Sequence, residues 1–197
     1  LEAEVAETCG YPCVVKPLEQ RASRGVSIVH ERQELAGAIR KACEYGPTYL
    51  MEACLTGTEH SVDILLDRDG AFSSVCWFNI VDRVFDYSTG VPLELGHINP
   101  SQLPKSARRE VSQLMVDTSL ALGVRWGSFK ADILMTDGGP KILEVTARLS
   151  GGWDCQGTSP LTGRHPMRAL LQLACGMPVD ALLTWAPGNG YAVCTAI

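Results

Sequence analysis

The segment spanning residues 128–146, SFKADILMTDGGPKILEVT, limits the possible folds of this chain more than any other. Two largely apolar runs, 128–135 and 141–146, flank Asp137-Gly138-Gly139. Glycine supplies the backbone freedom that a tight reversal needs, so the pattern predicts an antiparallel hairpin. Folding it about its tip sets Asp132 near opposite Glu144, each beside an apolar neighbour (Ile133 and Leu143). Two carboxylates facing one another across a strand pair repel unless a cation lies between them or water screens them. A solvent-facing acid pair and a pair built to hold a divalent ion are both compatible with this pattern.

Around the hairpin the chain alternates short strands with helices. Residues 2–9 read as the end of a helix closed by Gly10, and 11–16 (YPCVVK) as a strand. A polar loop covers 18–25, and a second strand 26–30. Leu35, Ile39, Ala42 and Cys43 form a helical stripe that Gly46 stops. Strands follow at 48–52 and 60–66, and Asp69-Gly70 predicts a hairpin into 71–78. Residues 86–104 read as the longest irregular stretch. Pro104 opens a helix over 105–122, with Ala107, Val111, Leu114, Met115 and Leu122 on its apolar stripe. A Gly-rich loop at 149–164, a helix at 166–175 and a last strand at 191–197 complete the chain. Hairpins stand where parallel units would need crossovers, which predicts an α+β fold with antiparallel sheets.

Composition narrows the function classes. With 17 Lys+Arg against 22 Asp+Glu the net charge is −5, which argues against a general nucleic-acid binder or a binder of acidic membranes. No apolar run approaches the ~18 residues of a membrane-spanning helix. The eight cysteines include no CxxC pair and sit in apolar strings such as Pro12-Cys13-Val14-Val15. They read as buried free thiols of a reducing cytosol, which makes a cytoplasmic location the expectation. The chain begins at Leu1, without Met and inside a helical pattern, so a fragment of a longer protein is expected.

Two further groups bear chemistry. Lys16 ends the VVK strand before a loop containing Ser23-Arg24-Gly25, a place suited to neutralising phosphate and equally to a solvated lysine. In Glu52-Ala-Cys-Leu55-Thr-Gly57-Thr-Glu59 a strand ends, turns at a glycine and restarts. Backbone there can read a base edge, and a carboxylate such as Glu59 can accept both hydroxyls of a ribose; an ordinary interstrand turn has the same form. Beside the hairpin acids, Lys130 shares a strand face with Asp132, and Thr146 and Arg148 share one with Glu144.

The order VVKP, MEACLTGTEHSVD, FKADILMTDGGPKILEVTARLSGG resembles the ATP-grasp superfamily, the fold of biotin carboxylase, D-alanine–D-alanine ligase and glycinamide ribonucleotide synthetase. The resemblance covers the chain from about residue 2 to 176. It implies two α+β subdomains, 1–54 and 55–197, whose antiparallel sheets grip a nucleotide. It also implies that Lys16 touches the nucleotide phosphates, Glu52 and the backbone of Ala53 and Leu55 meet adenine, and Glu59 holds the ribose. Asp132 and Glu144 would be the Mg²⁺ (or Mn²⁺) acids with Thr146 beside them, where many family members have Asn. Arg148 would contact the transferred phosphate, with Lys130 near it. Glu94-Leu-Gly-His97-Ile-Asn-Pro100 is similar to the E-x-G-H-x-x-P segment of L-amino acid ligases, where His97 would steady an acyl phosphate; a surface loop histidine fits the same string.

By this resemblance the chain is part of an ATP-dependent carboxylate–amine (or thiol) ligase. ATP would phosphorylate a carboxylate, an amine would attack the acyl phosphate, and ADP and phosphate would leave. The cofactors implied are ATP and Mg²⁺, and the partners are a small-molecule carboxylate and amine, with no nucleic acid or membrane. An upstream N-terminal domain is expected, and a homo-oligomer is open. A nucleotide-binding module without ligase turnover and a kinase on the same fold are the alternatives.

Overall fold

The structure is a computed structural model that describes residues 8–20, 23–67, 75–88, 92–151, 154–155, 165–179 and 192–195. Its contacts divide the chain into two compact units, Leu1–Thr56 with Phe85–Leu93, and Gly57–Val84 with Glu94–Ile197.

The first unit is built on a three-stranded antiparallel sheet in the order β2-β1-β3, from β1 (Cys13–Pro17), β2 (Ser27–Val29) and β3 (Tyr49–Ala53). Alternation along β1 is complete: Cys13, Val15 and Pro17 are buried, Val14 and Lys16 are not. Helix α1 (Arg32–Cys43) covers the apolar face with Leu35, Ala38 and Ala42, one turn apart, against Cys13, Val15 and Val29. The Glu34 carboxylate accepts from the backbone N–H of His30 and of Glu31, which satisfies donors that a helix start leaves open. Gly25, at φ +76°, lies where a Cβ would stand 2.7 Å from both the Pro17 and Tyr45 side chains, so the polar loop needs glycine there.

The second unit carries a six-stranded sheet in the order β8-β7-β4-β5-β6-β9. The strands are β4 (Thr58–Leu66), β5 (Val75–Asp86), β6 (Leu93–Asn99), β7 (Gly127–Thr136), β8 (Gly139–Thr146) and β9 (Ala192–Thr195). β4 is buried on both faces and is the axis of the unit. Its even-numbered residues Val62, Ile64 and Leu66 pack with Ile80, Phe129, Ala131 and Ile133 beneath helix α2 (Lys105–Ala121), which contributes Val111 and Met115. On the odd face, Leu65 packs with Leu149, Cys155, and Ala169 and Leu173 of helix α3 (Pro166–Ala174). A slip of one residue would carry Ser61 and Asp63 into the apolar cluster in place of Val62 and Ile64, and burying polar groups without partners costs roughly 1–3 kcal/mol each, so the register is firmly set.

Several expectations shift. The stretch expected to be irregular holds β6, whose Glu, Gly and His do not read as strand residues; the sheet pairs Gly96, His97, Ile98 and Asn99 with β9. Leu122 is the C-cap of α2 and is exposed, where the helical stripe placed it inside. Of the cysteines, Cys9, Cys13, Cys43, Cys54, Cys155 and Cys175 are free thiols. Cys43 and Cys175, at helix ends, are exposed rather than buried. Most of the helix expected at 2–9, the Asp69-Gly70 turn and most of the Gly-rich 149–164 loop lie outside the described residues. Among the described residues no helix is long and apolar enough to cross a membrane.

Candidate functional site

In the first unit the candidate side chains project from the solvent side of the three-stranded sheet. Lys16 pairs across the ladder with Leu50, which puts it diagonal to Glu52 on the same face, and Nζ meets the Glu52 carboxylate at 2.5 Å. Both are partly exposed. Ala53 ends β3 and Leu55 follows it, each exposed. The Cys54 N–H between them donates to the Pro12 carbonyl, which ties this short run to the start of β1.

In the second unit the odd-numbered residues of β4 before Leu65 (Glu59, Ser61 and Asp63) share a face with alternate residues of the neighbouring strands. Ser61 lies opposite Asp132 and Asp63 opposite Lys130 on β7. Across β7 and β8, Asp132 is the partner of Glu144 and Lys130 of Thr146. The hairpin thus sets the two acids opposite each other, with its single irregularity falling immediately after Asp132. The cation beside them is part of the chain. Lys130 Nζ lies 2.5 Å from Asp132 Oδ1 and 3.6 Å from Glu144 Oε1, and its side chain is only 8% exposed. Asp132 is buried with it, whereas Glu144 stands at the open edge, 57% exposed.

Arg83 on β5 completes the cluster. Its Nε and Nη2 donate to the two oxygens of Glu94 at 2.6 and 3.0 Å, a bidentate pair. Its Nη1 reaches Glu59 at 3.3 Å and Asp132 at 3.2 Å. Bonding to Glu94 and the charges of Asp132 and Glu59 hold the guanidinium charged more firmly than usual, against the cost of burial. Glu94 in turn meets His97 Nε2 at 2.5 Å, and His97 Nδ1 meets Asp154 Oδ1 at 2.6 Å. Hydrogen bonds from His97 and Arg83 outweigh burial at Glu94 and draw its carboxyl down to about 2. Bonded to Asp154 and Glu94, His97 is pushed up to about 9 despite its burial. At neutral pH it is an imidazolium donating from both nitrogens, so it acts as a fixed positive charge rather than a base.

Behind this surface, Asp63 accepts the Ser150 N–H at 2.7 Å with Oδ1. Its other oxygen is buried without a hydrogen-bond partner, and burial pushes the carboxyl up to about 6. The Thr146 hydroxyl oxygen is likewise buried without a partner. Burial, with the charges of Asp63 and Asp154, pushes the Cys155 thiol far up, so it does not ionise as a nucleophile must.

The structure therefore gathers Glu59, Lys130, Asp132, Glu144 and Thr146 on adjoining strands of one sheet and links them through Arg83 and Glu94 to His97. Arg148 follows β8 on an exposed stretch and donates Nη1–H to the Leu149 carbonyl. Lys16, Glu52, Ala53 and Leu55 belong to the first unit. Sequence reasoning missed Arg83, Asp63 and Asp154. The signal for Arg83 was a charged residue in mid-strand within Asn79-Ile-Val-Asp-Arg-Val-Phe85. Gly57 serves a close approach. A Cβ there would stand 2.2 Å from the Met135 carbonyl oxygen, so only glycine lets the chain enter β4 beside the end of β7.

Among the described residues no three His, Cys, Asp or Glu side chains form a ready-made metal cluster. The Asp132–Glu144 pair and the unpartnered Thr146 hydroxyl are nonetheless hard oxygen donors, suited to Mg²⁺, which keeps several waters and takes phosphate oxygens as further ligands.

Comparison with known proteins shows the family. The chain is 37% identical over 143 residues to a D-alanine–D-alanine ligase of Geobacter sulfurreducens, covering 72% of this chain and 44% of that protein. It is 31% identical over 137 residues to the enzyme of that name from Desulforamulus reducens, covering 69% and 44%. The chain thus spans less than half the length of these relatives. Among solved structures it resembles an L-amino acid ligase from Bacillus licheniformis, with 26% identity, a TM-score of 0.64, and 85% of this chain and 40% of that one covered. It shares the fold of the biotin carboxylase domain of Hydrogenobacter thermophilus 2-oxoglutarate carboxylase, at 18% identity and a TM-score of 0.72 over 96% of this chain and 42% of that one. Residues 1–148 match the model of the family described as D-ala D-ala ligase C-terminus, and the chain belongs to that family.

Proposed function

We propose that this chain is the nucleotide- and metal-binding part of an ATP-dependent ligase that joins a carboxylate to an amine, with amino acids as the substrate class. The observation that carries the reading is the pairing of Asp132 with Glu144 across β7 and β8, with Lys130 between them, in a member of this family. The relatives' names, D-alanine–D-alanine ligase and L-amino acid ligase, support amino acids on both sides of the new bond. The residues 1–54 and 55–197 are proposed as the small and large subdomains.

In this reading Asp132, Glu144 and Thr146 hold Mg²⁺, which offsets polyphosphate charge when bound. Lys16 contacts phosphate, giving up part of its hold on Glu52 as it does so. Glu52, with the backbone of Ala53 and Leu55, meets adenine, and Glu59 accepts the ribose hydroxyls. Lys130 and Arg148 stabilise charge on the phosphoryl group as it passes from ATP to the substrate carboxylate. Phosphoryl transfer asks the protein chiefly for positioning and fixed charge, which this cluster supplies. Imidazolium His97, held between Glu94 and Asp154, contributes positive charge and removes no proton. The amine then displaces phosphate from the acyl carbon, leaving an amide, phosphate and ADP.

The test is a phosphate-release screen of the full-length protein over pairs of amino acids. Wild type should release phosphate with at least one pair. Glu144→Ala should lower that rate by roughly 100-fold or more while the protein stays folded, since Glu144 is the exposed member of the pair. Near wild-type release by this variant would remove the metal assignment. One observation favours a second reading, a nucleotide-binding module without turnover: Thr146 offers a hydroxyl where an amide would be the stronger metal ligand. MgATP binding with no phosphate release over the whole screen would select it.

A further inference from the structure

One side chain touches both ends of the second unit's charge cluster. Arg83 spends two donors on Glu94 and directs the third nitrogen to Glu59 and Asp132. Glu94 passes the contact to His97, and His97 to Asp154. The guanidinium therefore joins the proposed ribose acceptor and a proposed metal carboxylate on one side to a histidine held by two acids on the other. Its side chain is 17% exposed, and those of Glu59 and Asp132 are 16% and 9% exposed. At such sites charge interactions are screened far less than at the surface. A lysine in its place would keep the charge and lose the fork: one ammonium cannot hold Glu94 through both oxygens and still span Glu59 and Asp132.

We propose that Arg83 is a positioning residue that transmits occupancy of the nucleotide–metal end to the Glu94–His97–Asp154 chain. The inference rests on the ligase reading above. When a ribose engages Glu59 and a divalent ion engages Asp132, each carboxylate shares its charge with a new partner. Arg83 then redistributes its hold toward Glu94, and the Glu94–His97 bond changes with it. The two ends need no direct contact, because one rigid planar group is bonded to both. The imidazolium proposed to supply positive charge thus responds once the nucleotide is in place.

The experiment follows His97 itself. Full-length protein is labelled with ¹³C at the histidine ring, the His97 signal is assigned with His97→Gln, and MgADP is added while calorimetry records its binding. Wild type should bind MgADP and show a shifted His97 resonance at saturation. Arg83→Lys should still bind MgADP, with its His97 resonance unmoved at saturation, because an ammonium cannot span both ends of the cluster. A purely structural role for Arg83 would shift the melting temperature without silencing one resonance. If Arg83→Lys does not fold or does not bind, Glu94→Gln cuts the same link from the other side. It should still bind MgADP while its His97 signal fails to respond. An undiminished His97 response in the variant read overturns the inference, as does wild type that binds MgADP with His97 unmoved. In both cases the ligase reading stands if phosphate is released in the amino acid screen. Wild type that binds no MgADP overturns that reading, and the inference with it.

Discussion

The two sheets handle charge in opposite ways. On the three-stranded sheet, Lys16 and Glu52 form an ion pair at the rim, with side chains 23% and 44% exposed. Water solvates both groups, so each is a modest contributor to stability and readily exchanges one partner for another. On the six-stranded sheet the charges lie within the strands and are cross-linked: Lys130 to Asp132 and Glu144, Arg83 to Glu59, Asp132 and Glu94, and Glu94 to His97. Buried ions gain little net stability when fully paired, and removing one leaves its partner uncompensated. The first arrangement suits a contact that must be made and released. The second suits a surface that must keep its shape while ligands come and go.

If this contrast is right, removing the buried lysine has the largest effect. Lys130→Met should cost about 3–5 kcal/mol, because Asp132 loses its closest counter-ion in a buried setting. Urea denaturation of the full-length protein measures it, and a cost under about 1 kcal/mol would place Lys130 with the rim charges.

An intermediate effect should appear with pH. The folded state holds the His97 proton up to about pH 9, against 6.5 for a free histidine. A raised folded value means that the stabilisation is fully present below pH 6.5 and is lost as the pH rises through 9. Glu94 works in the other direction. Its contribution is present above its ordinary value of 4.5 and is lost as the pH falls toward 2. Melting temperatures measured from pH 6 to 10 should decline for wild type more steeply than for His97→Gln. Parallel curves would show that His97 does not hold its proton more tightly in the folded protein.

Lys16→Met should change stability least, by no more than about 1 kcal/mol. It should still weaken MgATP binding by about tenfold or more through the loss of a charge-assisted phosphate contact. Calorimetry beside a thermal melt separates the two effects. A large drop in melting temperature with unaltered nucleotide affinity would reverse the roles assigned to the two regions.

The parts of the fold and site that were legible in the sequence are those set by short-range pattern. The reversal at Asp137–Gly139 fixes the partners on β7 and β8, so Asp132 and Glu144 could be set opposite each other from spacing alone. Alternation in β4 and the stripe of α2 are local in the same way. What escaped depends on which strands become neighbours. Arg83 reaches Glu94 and Asp132 because β5 lies between β4 and β6, and no local period in the sequence states that order. β6 escaped for a related reason. Its polar residues are stabilised by the charge cluster rather than by an apolar face, so it lacks the signature by which strands are recognised. His97 was found through a motif, whereas its fixed protonation follows from Glu94 and Asp154, the latter 57 residues away in sequence.

The place of Lys130 between the two hairpin acids has a consequence for how such a site can be used repeatedly. An acid pair with no counter-ion of its own would repel across the strands, and part of the binding energy of any cation would be consumed in relieving that repulsion. Here the chain supplies the opposing charge from the neighbouring residue on the same strand face. The binding energy of an arriving ion is therefore not consumed in that way. In the proposed metal-holding role, this arrangement lets the acid pair be emptied and refilled without risking the sheet that carries it.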